Sequence, residues 1–271
     1  MNRIIEIIKY IIIGIVQGIS EIFPISSSGH LALTYTLLKV NNADQLNLTI
    51  FLHFASSLAL LFFFKDMLKI IIKDFFLFIF KKDKKYKENF MLVIYLFISC
   101  IPIGIAGIFL KPFIESFFNS LLYVSLGFFL TFLVLLIFNK LSYKNENLSY
   151  KNTIFSSVIQ CICIFPGVSR SATTLLSLKL LKIKEEKAKQ FTFLLLIPIS
   201  FAGLFFSFFD DNILYIFSSD NIILYLITMI ITFVVTLFSL KLFFNKKIKI
   251  NYFILYMFMI SFLTFLLYFF I

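Results

Sequence analysis

Gln17-Gly18-Ile19-Ser20-Glu21-Ile22-Phe23-Pro24-Ile25-Ser26-Ser27-Ser28-Gly29-His30 is a polar island in a chain that is otherwise mostly hydrocarbon. A carboxylate, four serines, two glycines, a proline and a histidine stand between runs of isoleucine and leucine. A second stretch answers it: Gln160-Cys161-Ile162-Cys163-Ile164-Phe165-Pro166-Gly167-Val168-Ser169-Arg170-Ser171. Of 271 residues, 61% are hydrophobic and 14% charged, and the mean hydropathy is +0.99. A soluble fold of this length could not cover so much apolar side chain, and several windows of roughly 20 apolar residues are long enough to cross a bilayer. The chain therefore reads as an all-α polytopic membrane protein. Polar residues at membrane depth are costly enough that two such islands demand a reason.

Working outward from the first island, residues 4–15 form an apolar helix that runs into it. Pro24 disfavours helix at Phe23 and breaks the ladder, and residues 31–38 resume as a short helix. Neither half is long enough to span alone, so the unit reads as a re-entrant hairpin. Irregular backbone at that depth is tolerated only where it is buried in protein or lines a wet cavity. The second island sits likewise between half-helices at 153–165 and 172–181. Full crossings are expected at 48–64, 90–110, 121–138, 191–209, 222–243 and 252–271. Pro102 is an expected kink, 65–88 is partly amphipathic and partly loop, 111–119 is a short turn, and 182–189 is a charged loop.

The two islands share wording: Val16-Gln17, Ile22-Phe23-Pro24 and Ser27 against Ile159-Gln160, Ile164-Phe165-Pro166 and Ser169. Each opens a half made of one hairpin and three crossings, about 1–139 and 153–271, within a single membrane domain 1–271. An odd number of crossings turns the second half upside down. The expectation is six transmembrane helices plus two re-entrant hairpins in an inverted repeat, with the hairpins meeting near the midplane, an architecture used by secondary transporters.

Charge supports the count. The net charge of +11 could suggest nucleic acid. The lysines instead cluster in short loops between apolar segments, so no nucleic-acid partner is expected and the basic residues read as topology and headgroup contact. Loops 65–89, 139–152, 182–189 and 245–250 are lysine-rich and fall on one face, while 41–47 and 210–221 fall on the other and lack lysine. That places the basic loops in the cytoplasm and both termini outside; Lys111 is a mild exception, and Arg3 and Lys9 sit awkwardly. No cleavable signal peptide is expected, because the apolar N-terminal run leads straight into the polar island. Cys100, Cys161 and Cys163 form no CxxC and read as small apolar fillers. Gly14, Gly18, Gly104 and Gly107 read as helix-packing positions.

Broken helices aim unpaired N–H groups and a positive dipole end at whatever occupies the gap, which makes an anion site. The serines add donors suited to phosphate oxygens, and Arg170 adds a planar fork suited to bidentate phosphate binding. Its alternative is closure of the fold against a carboxylate. Glu21 is the clearest acid at depth, either a partner for that arginine or a ligand for Mg²⁺ or Ca²⁺, hard cations that bridge to phosphates. His30, three residues from Ser27, could share its helix face and move a proton, with Ser27 as nucleophile or as phosphate donor. His53 lies on an ordinary crossing helix and reads as a packed core residue.

At these residues the chain resembles the undecaprenyl-diphosphatase family, the bacitracin-resistance type of bacterial membrane phosphatase. The family's (E/Q)xxxE motif and following SSxGH stand here as Gln17, Glu21 and Ser26-Ser27-Ser28-Gly29-His30. Its PGxSRSxxT motif stands as Pro166-Gly167-Val168-Ser169-Arg170-Ser171-Ala172-Thr173-Thr174, and a further run matches at 191–198. The resemblance implies hydrolysis of a polyprenyl diphosphate lipid, undecaprenyl diphosphate, to the monophosphate carrier. It also implies a divalent cation, a site at the outer side of the bacterial plasma membrane, support of peptidoglycan synthesis, and protection against bacitracin. It carries catalytic roles onto Glu21, Ser27, His30 and Arg170, substrate binding onto Ser26, Ser28, Ser169, Ser171 and Thr173, and metal binding onto Glu21 and Gln17. Gln17 departs from members with glutamate there, which removes one charged metal ligand; Gln190 likewise stands where some members carry glutamate. A homodimer is among the assemblies compatible with such a chain.

Two rivals differ in class. A transporter that flips a phosphorylated polyprenyl lipid without hydrolysis would use the same inverted repeat. A phosphatidate-phosphatase type of enzyme also carries SGH and SR fragments, but it needs a histidine shortly after the SR pair. The only histidines are His30 and His53, so that reading is rejected.

Overall fold

The computed structural model describes residues 2–40, 42–209, 222–245 and 248–271. These residues form eleven α-helices: α1 Asn2–Ser20, α2 Ser27–Leu38, α3 Asn42–Phe63, α4 Lys65–Lys81, α5 Lys87–Phe118, α6 Leu121–Lys140, α7 Tyr150–Gln160, α8 Arg170–Leu180, α9 Glu185–Ser207, α10 Ile222–Asn245 and α11 Ile250–Phe270. Short 3-10 turns occupy Lys84–Tyr86 and Cys161–Ile164. Six helices, α3, α5, α6, α9, α10 and α11, are long and apolar enough to cross a membrane. The acidic loop at 210–221, Asn41, Lys246 and Lys247 lie outside the described residues.

Several boundaries differ from the sequence expectation for local reasons. α1 spans 19 residues rather than 4–15, because nothing between Asn2 and Ser20 breaks a helix. The region 65–88 is mostly helix, with α4 ended by Lys82 in the left-handed conformation. α5 runs through Pro102 and Pro112, so 111–118 is helix and not a turn. Proline weakens the ladder in the turn before it; there the Ser99 carbonyl accepts a hydrogen bond from Gln160 Nε2 at 2.8 Å. α9 begins inside the expected loop, where Glu185 and Glu186 meet the positive helix end and Lys189 pairs with Glu185 at 2.6 Å.

The helices pair as α1 with α10, α5 with α7, α3 with both α9 and α10, α5 with α9, and α6 with α11. One core gathers Leu31, Tyr35, Leu48, Leu52, Val124 and Phe128; another gathers Leu60, Leu178, Phe191, Phe193 and Leu195. The outward faces of α10 and α11 remain strongly apolar, with Phe238, Phe258, Phe262 and Phe269 exposed. Such faces suit lipid and not water. Facing inward, α10 buries Thr228, Thr232, Thr236 and Ser239, and Thr232 Oγ1 donates to Gly14 O at 3.3 Å. A Cβ on Gly14 would meet Thr228 O at 2.9 Å and one on Gly18 would meet Val235 Cβ at 2.7 Å, so both are close-packing positions. Gly104 and Gly107 have nothing within 4 Å of that point, and the packing role expected for them does not hold.

Candidate active site

Two breaks in the helical ladder build the site. After α1, Glu21 N still reaches Gln17 O at 3.0 Å, but Pro24 cannot continue and Ser26 adopts φ 70°. Ser26 then caps α2, its Oγ accepting from Gly29 N at 3.3 Å. After α7 the chain tightens into its 3-10 turn, reverses at Gly167 with φ 92°, and starts α8 from Ser169, whose Oγ accepts from Ala172 N at 3.3 Å.

The two breaks meet against α6. A Cβ on Gly29 would lie 2.6 Å from Gly167 Cα, and one on Gly127 would collide with Pro166 O and lie 2.8 Å from Gly167 Cα. Only three backbones without side chains can approach this closely. Thr131, on α6, closes the junction: its Oγ1 donates to Gly167 O at 2.7 Å and accepts from Ser169 N at 2.9 Å. Thr131→Val keeps the shape and strands both buried backbone groups. It is expected to cost about 2–3 kcal/mol, read as a lower melting temperature in detergent.

A cavity of about 230 Å³ lies at the junction. The first break contributes Ser20, Glu21, Ser26, Ser27 and Ser28, and the second Cys163, Val168, Ser169, Arg170 and Ser171. α3 adds Ile50 and His53, α5 adds Ile103, and α9 adds Leu196, Ile199, Ser200 and Gly203. Both α2 and α8 therefore open their N-terminal ends into one space. Among the described residues the amides of Ser27, Ser28, Arg170 and Ser171 have no acceptor, since the caps claim only those one turn on.

Glu21 is the electrostatic centre. Arg170 Nη2 donates to its Oε1 at 3.3 Å; Gln17 Nε2 donates to its Oε2 at 2.9 Å, and His53 Nδ1 stands 2.8 Å from the same oxygen. Ser27 faces the same carboxylate. An ionised carboxylate only accepts, so His53 carries its proton on Nδ1. The 3.3 Å approach of Gln17 Nε2 to that nitrogen is then two donors sharing one acceptor, not a hydrogen bond between them. Arg170 is held from behind, with Nη1 donating to Thr192 O at 2.7 Å.

Of the residues the sequence singled out, Glu21, Ser26, Ser27, Ser28, Ser169, Arg170 and Ser171 line the cavity, and Gln17 stands fully buried behind Glu21. His30 and Thr173 are not in the lining. His30 Nδ1 donates to Ser26 O at 2.7 Å and its Nε2 accepts from Tyr256 OH at 2.6 Å, so both ring nitrogens are spent on the turn and on α11. Thr173 Oγ1 donates to Ser169 O at 3.0 Å and Arg170 O at 2.9 Å, back along its own helix. His53, read from the sequence as a packed core residue, sits in the cavity wall. The available signal was Ser56, one turn on and on the same face, because both residues reach Gln17.

The profile of the family described as Bacitracin resistance protein BacA matches residues 10–263. The chain belongs to the BacA family. A relative from Bacillus thuringiensis strain Al Hakam, named undecaprenyl-diphosphatase 2, is 35% identical over 272 residues, covering 97% of this chain and 98% of the relative. An undecaprenyl-diphosphatase of Acholeplasma laidlawii strain PG-8A is 40% identical over 75% of this chain and 76% of its own length. One from Halothermothrix orenii strain H 168 is 38% identical over 73% and 74%.

Among the described residues no three His, Cys, Asp or Glu side chains gather as a metal site, so the cation that the resemblance implies would rest on few oxygen donors. Glu21 is a buried carboxylate, and Gln17 Oε1 is buried without a hydrogen-bond partner. Mg²⁺ takes one or two carboxylates, keeps waters and completes its shell with substrate phosphates, so a single acid does not disqualify the site.

Proposed function

We propose that this chain hydrolyses undecaprenyl diphosphate to undecaprenyl phosphate and inorganic phosphate, recycling a lipid carrier for peptidoglycan synthesis and so protecting against bacitracin. The carrying observation is the single cavity that takes both helix N-termini, the serines and the Glu21–Arg170 pair. Four unclaimed amides, six serine hydroxyls from the two breaks and a guanidinium form a donor basin for two phosphate groups. Ile50, Ile103, Leu196 and Ile199 give the wall an apolar side for the start of the lipid tail. The names of the relatives favour hydrolysis over lipid flipping.

In the reaction, Arg170 and the amides hold the phosphates and stabilise the charge spread over the transferring phosphoryl group. Ser27, between the phosphate basin and Glu21, supplies the attacking oxygen or orients an attacking water. A divalent cation held by Glu21, with Gln17 beside it, would neutralise phosphate charge. His53 keeps Glu21 oriented through its Nδ1 proton. His30, carried over as the acid or base, takes a different part in this reading: it fixes the strained turn that presents Ser26 and Ser27.

Phosphate release from the lipid diphosphate in nanodiscs tests this. Glu21→Gln should lower kcat by about a hundredfold or more, the range of a lost electrostatic stabiliser. His53→Phe should lower it about tenfold to a hundredfold, and His53→Asn should recover part of that by restoring a donor to Glu21. Activity near that of the parent in Glu21→Gln would defeat the assignment.

We also read the fold as an inverted repeat with two re-entrant hairpins. Exchanging α1 with α7, α2 with α8, α3 with α9, α5 with α10 and α6 with α11 turns the α1–α10 pair into α7–α5 and the α3–α10 pair into α9–α5, all of them observed. α4 has no counterpart and counts as an insertion. The basic loops then face the cytoplasm and the cavity opens to the outer, periplasmic side. With the native cysteines replaced by serine, Lys39→Cys should react with an impermeant maleimide in intact cells, and Lys144→Cys only after permeabilisation. The reverse pattern would invert the orientation.

A further inference from the structure

A second cavity, of about 390 Å³, lies toward the other end of the α5–α9 seam. Its walls come from the 3-10 turn Lys84–Tyr86, the first turns of α5, the loop carrying Asn147 and the first turns of α9. Three lysines from three elements line it, Lys84, Lys87 and Lys187, against one acid, Glu88. Glu88 pairs with Lys187 at 2.8 Å, and Lys187 also donates to Asn147 Oδ1 at 2.7 Å. Among the described residues Lys84 and Lys87 have no ion-pair partner; the nearby acids are otherwise engaged, Asp74 accepting from Asn89 and Asp83 from the Lys85 amide. Lys84 and Lys87 are themselves exposed. These surround a hollow floored by Leu92 and Tyr95. α5 begins at Lys87, so its positive end opens at the same place. Gln190 adds an amide whose Nε2 has only the weak acceptor Met67 Sδ, at 3.1 Å.

The hollow is separate from the central cavity. Gln190 and Leu196 lie six residues apart on α9, about 9 Å along the axis, and the buried Phe191, Leu194 and Leu195 fill the interval. We propose that this lysine-lined cavity is a second anion site, for a phosphate-class ligand carrying two negative charges. Lysine binds phosphate as a point charge, and two uncompensated lysines with a helix end match a phosphate monoester or free phosphate.

The test uses the full chain in phosphatidylcholine nanodiscs and reads amine-reactive labelling of Lys84 and Lys87 by mass spectrometry, with Lys151 as reference. Inorganic phosphate, against chloride at equal ionic strength, should lower labelling at Lys84 and Lys87 about threefold or more while Lys151 is unchanged. Protection that appears only when phosphatidic acid replaces part of the lipid assigns the site to a headgroup phosphate instead of the free ion. In the parent, phosphate should also lower labelling at Lys187, which lines the same cavity, and the double variant Lys84→Gln/Lys87→Gln should lose that protection and retain hydrolysis. No protection by either phosphate source, equal protection at Lys151, or protection of Lys187 that persists in the double variant would overturn the proposal.

Discussion

Arg170→Ala is expected to lower phosphate release by about a thousandfold, or about 4 kcal/mol of transition-state stabilisation. The guanidinium is held at two points, Thr192 O at 2.7 Å and Glu21 Oε1 at 3.3 Å, so it meets the developing charge already oriented. Alanine removes that donor and leaves the Glu21 carboxylate with Gln17 and His53 but no fixed cation. Arg170→Lys should recover little, because a single ammonium cannot reach both anchors and still face the substrate. The loss should fall on kcat more than on KM, and the variant should elute from size exclusion as the parent does. Activity within about threefold of the parent, a shift under 1 kcal/mol, would remove Arg170 from the chemistry.

Gly127→Ala is expected to be the most damaging small substitution in the chain. The new Cβ would collide with Pro166 O and sit 2.8 Å from Gly167 Cα, and both are backbone that cannot swing aside. Overpacking typically costs about 1–3 kcal/mol, and here the upper end or beyond is expected because α6 must move away from the second break. Such movement would also pull on the Thr131 bonds to Gly167 and Ser169. Stability and activity should therefore fall together. Gly104→Ala is the control: its Cβ meets nothing within 4 Å, and helix propensity should make it neutral or stabilising by about 0.5–1 kcal/mol. Equal melting temperatures for the two variants would refute the close approach of the three backbones.

Local signals account for what could be read in advance. Pro24 and Pro166 interrupt the ladder wherever they fall, and serines beside them cap the next helix, so α2 and α8 begin near where the sequence suggested. The turn expected at 111–119 is helix as far as Phe118, because a proline inside a packed membrane helix, here Pro112, kinks it without ending it. His53 was read as a packed core residue, and His30 was given a place beside Ser27, for one shared reason. Helices apolar all round carry no stripe to reveal which side faces inward. His30 turns to Ser26 and Tyr256, while His53, on a helix that looked ordinary, turns to Glu21.

From the sequence by itself came the membrane class, the six apolar helices, the two breaks and the residue types able to hold phosphate, because cost in hydrocarbon and backbone covalency are local properties. Tertiary structure decided which of those residues meet. Glu21 and Arg170 are 149 residues apart, and they touch because Gly29, Gly127 and Gly167 let two broken helices and α6 close to backbone contact. That closure depends on how whole helices rotate and pack against one another, which periodicity along a single strand of sequence does not encode.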